Sequence, residues 1–442
     1  MVAETLRIGC GAGFQGDRLE PALVLAEHGK LDYLMLECLA ERTIALAQLR
    51  RLNDPAAGYD ALLERRMTGL LPLVKQNGVR IVTNMGAANP IAGAQAIVTL
   101  AKRLGLSVRV AALTGDDVLH LLDPNQKVLE TGEPLSSIGP LFSANAYLGV
   151  EEMLPAMASG ADIILTGRVA DPSLALAPLA HHFGWSIDDT ERFARGTVVG
   201  HLLECAGQLT GGYYADPGKK DVPNMARLGF PFADVDADGN ATFSKVDGTG
   251  GRINRMTATE QLLYEVTDPN AYLTPDVTAD FTTVEIKETG PDTIAVSGAR
   301  GRKRPDTLKV SVGYHAGYIG EGEISYGGEN CVARAQLAGE IVAERLRGQF
   351  QELRVDILGI TGLHTRPMSG GDRNPYEVRL RVAGRSADRQ QAALIGEEVE
   401  TLWTNGPAGG GGARKSTQEQ IGIVSCLLAR DRVKPQVTVF ET

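Results

Sequence analysis

The feature that most constrains this chain is a repeated alternation in its first half, where short, almost wholly apolar segments are separated by stretches with helical periodicity. Leu6 to Gly9, Tyr33 to Leu36, Val79 to Thr83, Val108 to Leu113 and Ile163 to Thr166 read as strands. Between them, Glu20 to His28, Tyr59 to Gln76, Ile91 to Leu104 and Glu151 to Ser159 read as helices, and further helices are expected at Ser173 to Phe183 and Ile187 to Cys205. Strands apolar at every position have no solvent face, so a βα repeat of this kind implies a mostly parallel sheet covered on both sides. Five strands are compatible with a doubly wound sheet or with a partial barrel.

The pattern changes after about residue 215. From Gly211 to Gly251 turns and alternating acids dominate, and Asp234-x-Asp236-x-Asp238-Gly239-Asn240 resembles the start of a calcium loop. Lys245 stands where the bidentate glutamate belongs, so a hairpin turn at Asp238-Gly239-Asn240 is the better reading. Strands at Thr283 to Ile286, Thr293 to Ser297 and Leu308 to Tyr314 follow, then a helix from Cys331 to Arg347 and strands Val355 to Ile360 and Glu377 to Val382. A helix Ala387 to Thr404 and strands near Ile421 to Leu428 and Val437 to Phe440 complete the chain. The expected architecture is α/β: an N-terminal βα-repeat domain with a mostly parallel sheet (1–215), a turn-rich connection with a capped helix (216–282), and a smaller α+β domain (283–442).

Composition limits the partners. With 43% hydrophobic and 22% charged residues, 442 residues suffice for two or three full cores, and a formal net charge of −10 repels nucleic acid and anionic membranes. Five cysteines, with no C-x-x-C pair, fit reduced thiols in a cytoplasm. Neither a secretory leader nor an apolar run long enough for a membrane span is expected.

Three glycine-rich loops are candidate ligand cradles, because glycine lets successive backbone N–H groups converge on one anion. Gly409-Gly410-Gly411-Gly412 precedes Arg414, Lys415 and Ser416, although Lys415 is out of register for a phosphate-binding P-loop. Gly9 to Asp17, with Gly11, Gly13, Gly16 and Asp17, leaves the first strand where α/β proteins place ligands. It matches a dinucleotide fingerprint only if counted from Gly11, with Glu37 about 20 residues on as the sole ribose candidate. Gly250 and Gly251 lead towards a helix that Thr257 and Glu260 are spaced to cap. Such loops in both halves point to a site walled by both.

Acid–base candidates lie elsewhere. His201 and Glu204 are one helical turn apart, and Glu204 precedes Gly211-Gly212 and Asp216, which suits either a buried structural acid or a general base with a raised pKa. Thr166-Gly167-Arg168 with Asp171 offers a guanidinium fork or an internal bridge. Gly328-Glu329-Asn330 opens a helix, and His364 in His364-x-Arg366-Pro367 could exchange protons near neutrality. Neither a serine-hydrolase elbow nor a histidine-dense zinc motif is present in the sequence, so no metal ligand set is assigned.

These blocks together, namely GAGFQGD, LDYLMLECLAE, ADIILTGRVADPSLALAPL, HLLECAGQLTGGYYADPGKKD, GTGGRINRMTATEQLLYEVTDP and PAGGGGARKS, resemble the acyclic terpene utilisation protein AtuA family along nearly the whole chain. The resemblance implies a role in degrading citronellol- and geraniol-type terpenoids through acyl-CoA intermediates. It also implies that some relatives carry an additional C-terminal ferredoxin-fold module, for which this chain offers no evident copy, so the partners expected are a second copy of the chain (a homo-oligomer) or a protein supplying that module. Together with the residues, it points to a catabolic enzyme of lyase or hydratase type acting on a branched, carboxylated or CoA-activated acid. Glu204, Asp171, Asp216, His201 or His364 would move the proton, with no cofactor beyond CoA in the substrate. The alternative is a non-catalytic acyl-CoA-binding or scaffold subunit of an acyl-CoA enzyme complex.

Overall fold

The computed structural model describes residues 5–364 and 375–442. Arg366 and Pro367 lie outside the described residues. In chain order the first strands are β1 (Thr5–Cys10), β2 (Tyr33–Leu36), β3 (Arg80–Thr83), β4 (Arg109–Thr114), β5 (Leu141–Ala146) and β6 (Ile163–Thr166). The helices among and after them are α1 (Glu20–His28), α2 (Glu41–Asn53), α3 (Leu63–Asn77), α4 (Pro90–Arg103), α5 (Val150–Ala158), α6 (Ser173–Phe183) and α7 (Thr190–Glu204). Then come β7 (Pro231–Asp236), β8 (Ala241–Lys245), α8 (Arg255–Leu263), β9 (Tyr272–Leu273), β10 (Thr278–Asp280), β11 (Glu285–Gly290), β12 (Thr293–Ser297) and β13 (Arg300–Arg302). The last elements are β14 (Thr307–Gly327), α9 (Cys331–Arg345), β15 (Leu353–Leu358), β16 (Glu377–Ser386), α10 (Arg389–Glu400), α11 (Leu402–Asn405), β17 (Gly411–Ala429) and β18 (Gln436–Glu441).

The chain divides into two compact units. The first takes residues up to 137, 142–313 and 423–442, and the second takes 138–141 and 314–422. In the first, ten strands form one open sheet in the order β11-β12-β8-β7-β1-β2-β3-β6-β4-β18. The central five pair in parallel, and β2, β3 and β6 are buried almost throughout, as strands covered on both faces must be. Two helix layers cover them: α1, α3 and α4 pack together, as do α5, α6 and α7. The handedness of βαβ crossovers explains the division, because β1 to β4 step one way across the sheet while β6 steps back between β3 and β4. The sheet is therefore doubly wound and open.

The expectation of a mostly parallel sheet needs correction. Only the middle is parallel; β7, β8, β12 and β11 extend one edge antiparallel and β18 closes the other. Two of the added strands, β7 and β8, come from the turn at Asp238-Gly239-Asn240. Asp236 Oδ1 accepts from the backbone N–H groups of Asp238 and Asn240, Gly239 takes φ +82°, and β7 and β8 return as a hairpin. The segment expected as a connection thus supplies sheet. A second correction concerns α8, whose N-cap is Asn254: its Oδ1 accepts from Thr257 N–H and Thr257 Oγ1 accepts from Asn254 N–H. Thr257 is inside the helix, and Glu260 pairs with Lys220.

In the second unit, β14, β15, β16 and β17, with α9 and α10 between them in the chain, are ordered β15-β16-β14-β17, and β5 pairs with β14 as the fifth strand of that sheet. This βαββαβ succession, with the first strand between the third and the last, is the ferredoxin-like topology, which corrects the expectation that the chain offers no evident copy of such a module. Its core packs α9 and α10 on the sheet through Ile324, Tyr326, Ala335, Ala338, Leu380 and Val399. The chain enters this unit within β14 and leaves it within β17.

Candidate functional site

A cavity of about 1220 Å³ opens in the first unit, and every residue lining it belongs to that unit. It lies at the carboxyl ends of β1, β2 and β6, where an open α/β sheet leaves a crevice beyond the strand ends. Glu37 follows β2, Asp171 follows β6, and Glu204 ends α7; all three line the cavity.

The loop after β1 forms one wall through Gly13, Phe14, Gly16 and Asp17. Asp17 Oδ2 accepts from Gly13 N–H at 2.9 Å, and buried Arg66 donates to the Gln15 and Asp17 carbonyls, so the loop is held by its own bonds. Gly13 is indispensable to the packing: a Cβ there would lie 2.6 Å from the Cys205 carbonyl carbon. That close approach brings the loop against the end of α7.

Glu204 is 9% exposed and His201 1%. His201 Nδ1 stands 2.9 Å from Glu204 Oε1, and His201 Nε2 stands 3.2 Å from the Leu262 carbonyl. A carbonyl only accepts, so Nε2 carries a hydrogen and the Nδ1–Oε1 contact holds one further proton shared by the pair. Burial pushes Glu204 up to about 7 against the opposing pull of His201, and the glutamate in turn raises His201 above its ordinary value despite the burial of the ring. Glu204 Oε2 is buried without a hydrogen-bond partner. Tyr272 and Phe281 flank the imidazole at 5.3 Å each and fix its plane.

Glu37 is the second buried carboxyl. Its Oε1 accepts from Leu39 N–H at 2.8 Å and from Asn84 Nδ2 at 2.9 Å. Burial, reinforced by the Asp171 charge, raises it to about 8, so at neutral pH it holds its proton. Glu41 has the opposite fate. Burial alone would raise it, but the Tyr147 hydroxyl, which donates to Oε1 at 2.5 Å, together with Arg168 and Lys309 holds it at about 2.

Arg168 sits beneath these acids. It is 1% exposed, bonds to Asp171 and to the Leu39 carbonyl, and stacks 4.3 Å from the Tyr147 ring centroid. Its backbone N–H donates to Asp116 Oδ2, which Asn145 also supports. Gly167 lets that carboxylate approach, since a Cβ would meet Asp116 Oδ1 at 2.4 Å. Asp171 is raised by burial while Arg168 opposes the rise, and its charge bears on both Glu37 and Glu204. The cavity thus presents two proton-holding carboxyls around one ion pair whose arginine is buried and whose aspartate is partly exposed.

Of the residues singled out in the sequence, Gly13, Gly16, Asp17, Asp171, Glu204 and Gly212 line the cavity. His201 and Arg168 back it, and Thr166 and Gly167 shape the strand end. Gly11 is a packing position, where a Cβ would meet Ala22 and Leu36. Asp216 is outside the lining and pairs with Lys219, Gly211 abuts Val222, and Gly250 and Gly251 approach the 224 and 210 backbone carbonyls. Gly328, Glu329, Asn330, His364, Gly409, Gly410, Gly411, Gly412, Arg414, Lys415 and Ser416 belong to the second unit. There β17 begins at Gly411, so Arg414 and Lys415 point to opposite faces of a strand, and Lys415 pairs with Glu400 at 2.5 Å.

Sequence reasoning missed Glu37 as an acid, along with Glu41, Tyr147 and Glu265. The signal for Glu37 was available: a lone carboxylate directly after a fully apolar strand. Backbone strain marks the same place. Ala206, Tyr213 and Glu265 all have positive φ (43°, 62° and 58°), and the latter two line the cavity.

Among the described residues no group of three or more histidine, cysteine or acidic side chains is arranged to hold a metal ion, and no helix is long and apolar enough to cross a membrane. Residues 6–439 match the model of one family, described as acyclic terpene utilisation family protein AtuA. No curated protein and no solved structure matches the chain.

Proposed function

We propose that this chain, which belongs to the acyclic terpene utilisation family AtuA, is an acid–base enzyme that adds water to, or eliminates it from, a branched acyclic acid carried as a CoA thioester or a similar derivative. One observation carries the reading: two buried carboxyls, Glu37 and Glu204, hold protons near neutrality at the same cavity. Catalytic acids and bases need pKa values close to the working pH, and burial is the ordinary means of moving a glutamate there.

In the elimination direction the Glu204 carboxylate takes a proton from carbon while His201 stabilises the shared proton. Glu37 gives its proton to the hydroxyl on the neighbouring carbon, which leaves as water, and a carbon–carbon double bond forms. Hydration is the reverse. Asp171 and Arg168 do not exchange protons in this scheme; they set the field felt by both glutamates. The active form has Glu204 ionised and Glu37 protonated, so the rate should rise through about pH 7 and fall through about pH 8.

The test is to incubate the isolated chain with the CoA thioesters of citronellic and geranic acids in D2O and to follow deuterium uptake and gain or loss of water by mass spectrometry. Glu204→Gln keeps the volume but cannot take the proton, and should lower exchange roughly 100-fold or more. Exchange at the wild-type rate in that variant, or none in the wild type, would refute the assignment.

A further inference from the structure

The cavity's charges are unevenly distributed with depth. Its buried lining includes the Glu37 and Glu204 carboxyls, and among the lining residues acids outnumber cations six to two: Asp17, Glu37, Glu41, Asp171, Glu204 and Glu265 against Arg18 and Lys309. Both cations are at the surface, with side chains 45% exposed. Arg18 is paired with Glu20 at 2.6 Å and Lys309 with Glu41 at 3.2 Å. Among the described residues no lysine or arginine lines the floor.

The mouth has a second character. Phe14, Leu129, Tyr213, Met225, Leu273 and Leu427 all line the cavity and are all large, apolar and exposed, Tyr213 by 88% and Leu273 by 67%. A ring of exposed apolar side chains of this kind is unfavourable unless something covers it. Tyr213 is also held at φ +62°, a conformation a bulky residue adopts only when the surrounding chain enforces it. The only cation close to the floor among the described residues is Arg168, which lies behind the lining and is already paired with Asp171, so a neutral group meets no penalty there but an anion finds no unpaired cation.

From this layering we infer that the site binds an amphiphile end-on: an uncharged end, bearing a hydroxyl, carbonyl or double bond, lies on the floor, an apolar chain passes through the ring of exposed side chains, and the anionic end stays at the mouth beside Arg18 and Lys309. The inference rests on the proposed acid–base reading for what happens at the floor, but the orientation is a matter of binding alone. A CoA moiety would remain outside for the same reason as a free carboxylate, since the lining offers its phosphates no unpaired cation below the mouth.

Calorimetry at pH 8 separates this from the catalytic proposal. The probes are citronellate, citronellol, and the dicarboxylate formed by oxidising the far end of citronellate. Citronellate should bind, and the dicarboxylate should bind at least tenfold more weakly, because one of its charges must lie on the floor. The Arg18→Gln, Lys309→Gln double variant should weaken citronellate at least fivefold while leaving citronellol within about twofold. Tyr213→Ala with Leu273→Ala should weaken all chains alike, by about threefold to fourfold for each methylene no longer covered. Equal affinity for the dicarboxylate, failure of citronellate to bind, or indifference of citronellate to the double charge removal overturns the orientation. Binding as expected with no deuterium uptake would leave the orientation standing and overturn the reaction.

Discussion

Replacing Glu37 by glutamine isolates the burial of one acid from everything else in the cavity. The protonated glutamic acid and the amide are close in shape: the amide oxygen can accept from Leu39 N–H and Asn84 Nδ2 as Oε1 does, and the NH2 stands where the protonated oxygen stood. The carboxyl's pKa is raised from 4.5 to about 8 in the folded chain. A raised folded pKa stabilises the fold fully below the unfolded value, and that contribution is lost as pH rises towards the folded value, since only the unfolded chain can ionise freely in between. With these two values, wild-type stability is reduced by roughly 2 kcal/mol at pH 6 and by roughly 5 kcal/mol at pH 9, as an upper bound for an isolated group. Glu37 is 7% exposed, so solvent screening does little to soften this. Glu37→Gln lacks the ionisation, and denaturant unfolding at pH 6 and pH 9 should find the variant gaining about 3 kcal/mol on the wild type across that interval. Parallel pH dependence in the two proteins, within about 0.5 kcal/mol, would mean that Glu37 is already ionised in the fold and cannot be the proton donor.

Two other substitutions probe the walls. Gly13→Ala drives a methyl into the Cys205 backbone and should cost about 1 to 3 kcal/mol by denaturant unfolding, with a comparable loss of ligand affinity as the β1 loop lifts from α7; unchanged stability would mean that the loop yields freely. Arg168→Met leaves Asp171, partly open to solvent, without its cation and should cost about 1 to 3 kcal/mol, whereas Arg168→Met combined with Asp171→Asn should recover most of it; additive losses would show that the two are not energetically coupled.

Much of the first unit was legible because its strands and helices follow their simple periods. Tyr33–Leu36, Ile163–Thr166, Glu20–His28 and Ser173–Phe183 are bounded as their sequences suggest. The antiparallel margins were harder to read, since pairing between β1 and β7 or β4 and β18 depends on partners over 200 residues apart. Helix α2 escaped because its RRLN end is polar and its apolar face is short. The second unit's strand–helix order was visible, but its topology was not, because order along the chain does not state which strands are neighbours. At the site, Glu204 and His201 could be paired from helical spacing, whereas Glu37 and Tyr147 reach the cavity only through the sheet. The glycine run misled for a physical reason: Gly411 and Gly412 start a strand, and a strand separates neighbouring cations instead of gathering them.

The seating of β18 against β4 bears on the way the chain is made. Glu441 bonds Arg109 across 332 residues, and between them the chain completes the whole of the second unit. During synthesis, β4 therefore waits with one edge unpaired until β18, more than 300 residues later, is released. An apolar parallel strand in that condition is a template for pairing with another nascent chain, and the interval is longest when translation is slow. The ferredoxin-like unit has no such wait, as its strands lie within about a hundred consecutive residues. It can form first and tether the two segments, β14 and β17, that lead back into the unfinished sheet, shortening the search β18 must make for its place.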